Sequence, residues 1–338
     1  MHQGKWFVLS QTLGNWRTLR KTRTHAWSWS ARRLDISALN RSLVLAAILL
    51  GDLLLVPGKV GAVESHRSTT SDSARQEAIQ AIPLAKLTAR HRQQVRAVIE
   101  HATLYRRLPT CVVDCHPGLF TYVARNPEVL VAIWRELGVT QVELHRTGLD
   151  RFDFHDQSGT SGKLVLVEQQ CDENAQNRLV LLAEGSYENK PMTRPVKAQC
   201  VLLLRSGSIL ETNGRRYVAA RLDSFVHVDR AGLQLFAKVI HPWVGITADR
   251  NFSDTLTFIS HLSHTAEVRP EKIGKLASKL AGIPPVRRQQ LVRIANECAH
   301  DSHQWQLDQQ SRNEFSRAQL ARFTEAKNNT GKEDGVTE

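Results

Sequence analysis

The chain has 338 residues, 41% of them hydrophobic and 23% charged, a balance that suits a globular protein with a sizeable core. Its net charge of +12 is lopsided: of 45 Lys/Arg and 33 Asp/Glu, nine and two lie in residues 1–62, leaving 36 and 31, a net of +5, for the rest. So small a surplus, without an aromatic–basic motif, argues against a nucleic-acid partner.

Residues 1–41 carry eight of those basic residues and four of the seven tryptophans. Ser42–Val56 is apolar except for Ser42 and Asp52, Pro57-Gly58-Lys59 breaks it, and Val60-Gly61-Ala62 follows. A positive flank, a short apolar core and a small-residue exit read as a signal peptide cleaved near Ala62. The alternative is an anchor. Its fifteen residues would span about 22 Å of the roughly 30 Å of bilayer hydrocarbon. Asp52 would add about 2.5–3.5 kcal/mol near the helix centre. The working part of the chain is therefore expected beyond the cytoplasmic membrane, exported to the periplasm or cell envelope, secreted, or anchored to that membrane.

Residues 63–75 are polar, with Ser-Thr-Thr-Ser-Asp-Ser at 68–73, and read as a linker. From about 87 to 107 the spacing predicts an amphipathic helix. Val95, Val98, Ile99, Ala102 and Tyr105 fall on one stripe, and Pro109 ends it. Thr110–Asp114 is a short β-like run. Pro117–Leu137 reads as two helical pieces, the second opened by Asn126 as cap and Pro127 in the first turn. Val129, Ile133, Trp134 and Leu137 form its apolar face, and Gly138 stops it.

Strands follow at about 140–147, 151–156, 163–171, 178–187, 198–206 and 215–228, separated by turns rich in Gly, Asn and Asp. In the last of them Val218, Ala220, Leu222, Val226 and Val228 face one way, and Arg221, Asp223, His227 and Asp229 the other. That pattern predicts a sheet with one covered and one wet face. A long helical region spans about 231–267, with Leu233, Phe236, Val239 and Ile240 as its first stripe and Leu256, Ile259, Leu262 and Ala266 as its later one. Two shorter helices follow at about 270–281 and 285–299, and the polar chain from about 324 is expected to be disordered.

The organisation is thus a targeting segment at 1–62, a linker plus amphipathic helix at 63–109, an α+β domain at 110–268, C-terminal helices at 269–323 and a tail at 324–338. Across 110–268 the order is strand, two helices, six strands in an antiparallel meander and a long closing helix. On Asn126–Trp134, the strand pair Cys200–Arg205 and Tyr217–Val228, and the passage Asp229–Phe236 into the last helix, this order resembles the START-like, helix-grip superfamily of lipid-transfer domains and polyketide cyclases. The likeness is architectural and covers about half the chain. It implies a curved antiparallel sheet wrapped on a long C-terminal helix, with extra helices at both ends and a cavity between sheet and helix for a lipid or other apolar small molecule.

Several constellations invite chemistry. Cys111-Val-Val-Asp-Cys115-His116 has alternating strand faces that keep its ligands apart, and it lacks a second matching pair. His261, Glu267 and the intervening His264 spread about 120° round a helix. Gly159-Thr-Ser-Gly-Lys163 fails the phosphate-loop pattern and reads as a hairpin loop. No nucleophile elbow, zincin motif or dinucleotide fingerprint occurs. No catalytic residue, metal ligand or cofactor is assigned. Arg146, Glu168, Glu184, Arg205 and Arg221 are charges within apolar strands. An unpaired buried charge costs several kcal/mol. Those that turn inward are expected to hold a ligand's polar head, and Arg146, Glu168, Glu184 and Arg205 are the cavity candidates. Five cysteines are too few for a disulfide scaffold, and Cys171–Cys200 is the one bridge to test, against five free thiols.

These features point to a non-catalytic binding module for a lipid, another apolar ligand or a partner protein, associated with the membrane or cell envelope. Two alternatives stay open. One is a cyclase- or hydrolase-type enzyme with an acid–base pair among Glu168, Glu184, Asp223 and His227. The other is a structural envelope protein whose helices at 72–107 and 270–320 serve assembly.

Overall fold

The computed structural model describes residues 67–157, 159–171, 176–188, 195–229 and 241–333, with the backbone alone at 241–246 and 321–333. The expected targeting segment, with its apolar core at 42–56, lies outside the described residues, as does the 230–240 stretch of the expected long helix. Among the described residues, no helix is long and apolar enough to cross a membrane.

The protein is α+β, built on an antiparallel curved sheet of eight strands. The strands are β1 (Leu104–Arg107), β2 (Cys111–Val113), β3 (Glu143–Arg146), β4 (Arg151–His155), β5 (Thr160–Gln170), β6 (Asn177–Tyr187), β7 (Val196–Leu210) and β8 (Arg216–Val228). Their spatial order is β1-β8-β7-β6-β5-β4-β3, with β2 also paired to β8. The helices are α1 (Asp72–Ala81), α2 (Ala89–Glu100), α3 (Pro117–Arg125), α4 (Pro127–Glu136), α5 (His241–Val268), α6 (Pro270–Lys279) and the long C-terminal α7 (Pro285–Glu333). The polar chain after 324, expected to be disordered, is helical to Glu333. Glu325, Ala326 and Lys327 are good helix formers, and the segment continues the long helix that starts at Pro285.

Strand alternation sorts the core into two layers. On one face Leu144, Phe152, Phe154, Leu164, Leu179 and Leu202 meet side chains from α3 to α7, including Phe252, Leu256, Ile259 and Leu262 of α5. This is the face that the period-two reading of β8 predicts to be covered. The opposite face departs from expectation. It is wet toward β3 and β4 and at Lys163, Glu184 and Lys197, while α1 and α2 cover its central β6–β8 part with Ala74, Ala78, Val95, Val98 and Ile99, packed on Val180, Leu182, Val201, Leu203 and Phe225. Each of those larger apolar side chains gains about 1.5–3 kcal/mol from burial, which makes the second layer a real part of the fold.

Two N-terminal elements were hidden in the sequence. The expected linker already holds the start of α1, whose cap is Ser71, with its hydroxyl accepting from the Ala74 N–H at 3.3 Å. The buried stripe of α1 is alanine, too weak a hydrophobic signal to read. The expected helix to 107 stops at Glu100, and Leu104–Arg107 instead pairs with Asp223–Val226 as β1. Tyr105 fits both a helical and a strand period, which is why the stripe seemed to run on.

Helix α4 starts at Asn126-Pro127 as read, but the Asn126 side chain makes no cap. It donates to Tyr122 O at 2.8 Å instead. Gly138, at φ +70°, closes the helix as expected, with Gly138 N–H donating to Arg135 O and Val139 N–H to Trp134 O. All five cysteines are free. The Cys171–Cys200 bridge is ruled out by register: Gln170, Arg178 and Arg205 share one cross-strand row, and Cys200 lies five residues along β7 from it, about 16 Å of strand.

Candidate functional site

The charged strand residues are sorted by face. Arg178, Arg205 and Arg221 are direct cross-strand neighbours on β6, β7 and β8. Three like charges in a row repel unless carboxylates are set among them. Glu168 and Gln170 of β5 take Arg178, with two bonds from Arg178 to Glu168 at 3.1 and 3.2 Å. Asp223, fully buried, accepts from Arg205 Nη2 at 3.0 Å, Arg107 Nε at 2.7 Å and the Tyr105 hydroxyl at 2.8 Å. Glu77 of α1 accepts from Arg107 at 2.6 Å, Arg205 at 3.1 Å and Arg221 at 2.8 Å. Burial works against ionisation of Glu77, but the Arg107 hydrogen bond and the charges of Arg221, Arg107 and Arg205 outweigh it and hold its pKa at about 2. Burial and then the Asp223 hydrogen bond push the Tyr105 pKa up. This network rivets α1 to the sheet. Glu168 and Arg205 are therefore partners in ion pairs beneath the α1–α2 layer, on the face away from α5, and Glu184 is exposed on that same face.

Arg146 is the one cavity candidate on the α5 side. It stands over the Phe152 ring at 4.4 Å and donates to Glu128 Oε1 at 2.7 Å and Oε2 at 3.1 Å. It also donates to Asn126 Oδ1, Arg125 O and Leu149 O. Arg287 of α7 joins the same carboxylate at 3.4 Å, and Tyr122 donates to Arg287 O at 2.7 Å. The Glu128 side chain is 2% exposed, so these bonds offset the several kcal/mol that an unpaired carboxylate there would cost. Arg146 thereby joins α4, β3 and α7, with its donors taken by protein.

The motif around Cys111 and Cys115 comes apart in space. Cys111 contacts Ser253 Oγ at 3.7 Å, whereas Cys115 is buried beside Ser263 and Cys298. His116 becomes the cap of α3: its Nδ1 accepts from Gly118 N–H at 3.2 Å and its Nε2 donates to Asp301 at 3.1 Å. Burial pushes the Cys200 and Cys298 thiols up to about 12 and raises Cys115 further. His264 is exposed, and Glu267 is held by Arg215 at 3.1 Å and by Ser263. His227 Nδ1 donates to His101 O at 2.7 Å.

What the charged residues do not supply, two neutral donors do. Trp134 of α4 is 5% exposed and edges onto Phe258 of α5, with ring centroids 5.9 Å apart. Its Nε1 has no hydrogen-bond partner among the described residues. Tyr187, at the end of β6 and 1% exposed, has a hydroxyl without a partner among the described residues. By alternation it shares the face of Leu181 and Ala183, the α5 side, and its row neighbours are Thr160 and Val196. A buried donor left unsatisfied costs about 1–3 kcal/mol. Sequence reading placed Trp134 on the apolar face of α4 and Tyr187 in a strand. Orphaned donors have no sequence signal, because a missing partner is a property of the packed interior. A separate cavity of about 270 Å³ opens at the β1 edge of the sheet, lined by Ala102 and Leu104 and by the polar Thr70, Asp72, Arg75, Thr103, Tyr105 and Arg106.

The chain matches no protein-family model, and no curated protein matches its sequence.

Proposed function

We propose that this chain is a non-catalytic binding module, exported or held at the membrane, that carries a lipid or other apolar molecule between the sheet and α5. The observation that carries this reading is the pair of buried, unpartnered donors on that side, Trp134 Nε1 and Tyr187 Oη. An apolar ligand with an acceptor group, such as a carbonyl or an ester, in reach of each donor would recover the cost of leaving them unmade. The surrounding wall is apolar, as such a guest requires. The resemblance to helix-grip proteins supports the same location. Export or membrane association rests on the basic flank and apolar run of residues 1–62.

An acid–base enzyme is less well supported. Glu168, Asp223 and His227 are each tied to named partners, and Glu184 faces outward. Organic extraction of wild-type protein and of Tyr187→Phe, each purified from cells, tests the proposal. The wild type is expected to release a stoichiometric apolar compound, and Tyr187→Phe to release at least several-fold less. Equal release from both would remove Tyr187 from the site. An empty extract from both would remove the function.

A further inference from the structure

The β3–β4 hairpin assembles three side chains that no spacing rule singles out. Glu143 and His145 are two residues apart on β3 and so share a face, and His155 on β4 is the register partner of Glu143. Leu144, Phe152 and Phe154 point to the core, so these three point away from it. Both imidazoles converge on one oxygen: His145 Nε2 lies 3.1 Å and His155 Nε2 3.2 Å from Glu143 Oε2. The rings stack with centroids 6.0 Å apart and planes 27° apart. Donor atoms of all three residues lie within 4.8 Å of one another. Arg135 of α4 holds the other carboxylate oxygen, Oε1, at 2.6 Å.

We propose that Glu143, His145 and His155 bind a divalent transition-metal ion of the zinc class. Metal–ligand bonds of about 2.0–2.1 Å at tetrahedral angles place ligand atoms roughly 3.3 Å apart. The two Nε2–Oε2 separations already stand close to that value, so binding needs small side-chain shifts and no backbone change. On binding, each imidazole presents its Nε2 lone pair to the ion and keeps one proton, on Nδ1, any further ring proton passing to water, and the ionised Glu143 carboxylate completes the protein donor set. Arg135 serves as the outer partner that fixes the carboxylate. Asp153, the register partner of His145, adds a negative charge on the same face, offset by its own partner Lys163. Both histidines are half-exposed, so the ion has access and water completes the shell. Two imidazoles with a carboxylate favour zinc, cobalt or nickel over calcium or magnesium, which prefer all-oxygen sets.

Titration of the full chain with Co2+ tests this. The expected result is one equivalent bound, with a visible d–d band and no thiolate charge-transfer band. His145→Ala and His155→Ala should each weaken binding by at least about tenfold, and Arg135→Ala by up to about tenfold. Zn2+ should raise the melting temperature of the wild type and not that of the double histidine variant. The proposal is overturned if the wild type binds no Co2+ at millimolar concentration. It is equally overturned if the double variant binds as tightly as the wild type, or if the spectrum reports thiolate ligation. The three side chains lie outside the core, so the variants are expected to fold, and an unchanged circular dichroism spectrum checks this.

Discussion

Tyr105 donates its hydroxyl to Asp223 Oδ1 at 2.8 Å across the pairing of β1 with β8, while Arg107 and Arg205 occupy the rest of that buried carboxylate. One side chain thus anchors the edge strand, the arginine row and, through Glu77, the covering helix α1. Asp223→Ala would leave two guanidiniums without their buried partner and is expected to cost about 3–5 kcal/mol. Tyr105→Phe removes a single bond to a charged acceptor and should cost less, about 1.5–3 kcal/mol. Urea unfolding of both variants gives the comparison. Tyr105→Phe keeps the test readable if Asp223→Ala does not fold.

Glu77 gives that network a pH dependence. Its folded pKa of about 2 lies below the ordinary 4.5. A depressed carboxylate adds stability above its unfolded pKa and loses it as pH falls toward the folded one. The cost of Glu77→Gln should therefore be full above pH 4.5 and shrink steadily between pH 4.5 and about pH 2. Glu77 is half-exposed, so the whole effect is modest and screened by salt. Denaturation of wild type and variant across that range measures it. A difference independent of pH would show that the arginines do not hold the Glu77 charge.

The thiols should fall into two classes. Burial raises the pKa of all five, but Cys115, Cys200 and Cys298 are fully buried whereas Cys111 and Cys171 are half-buried and open to reagent. Since the thiolate is the reactive form, a thiol-labelling reagent should modify at most Cys111 and Cys171 in the native protein. All five should react after unfolding. Peptide mapping after a short labelling pulse assigns the sites.

Gly162 in β5 sits beneath the Phe154 ring. A Cβ there would meet Phe154 Cζ, Glu184 O and Gly185 Cα at once. Two of those obstacles are backbone and cannot swing aside. Gly162→Ala is expected to cost about 1–3 kcal/mol by overpacking, measured by thermal or urea unfolding, although alanine is ordinarily the better residue in a strand interior.

The sheet was legible because strand patterning is local. The alternation in β8 and the turn residues between strands fix faces and order, and Gly138 marks the end of α4 by its own conformation. The second helical layer was legible only in its α2 half, whose Val95, Val98 and Ile99 stripe is plain in the sequence. Ala74 and Ala78 of α1 carry little hydrophobic signal, whereas the unbroken apolar runs Leu179–Ala183 and Val201–Leu204, with Phe225 of β8, are the trace of a covered second face. The same burial explains Arg205 and Asp223, which look like wet-face charges until α1 is laid over them. Arg146 reads in the sequence as a charge that would hold a ligand's polar head, and the structure pairs it with Glu128, which comes from another element. The Glu143, His145 and His155 cluster depends on hairpin register, which only the paired strands supply.

The central claim is that the interior beside Trp134 and Tyr187 holds an apolar guest. The most direct measurement is the native mass spectrum of the full chain as purified from cells. The account predicts a discrete added mass that organic solvent removes and that is depleted in Tyr187→Phe. A wild-type spectrum at the bare polypeptide mass would contradict it, as would a Tyr187→Phe spectrum that retains the same adduct undiminished.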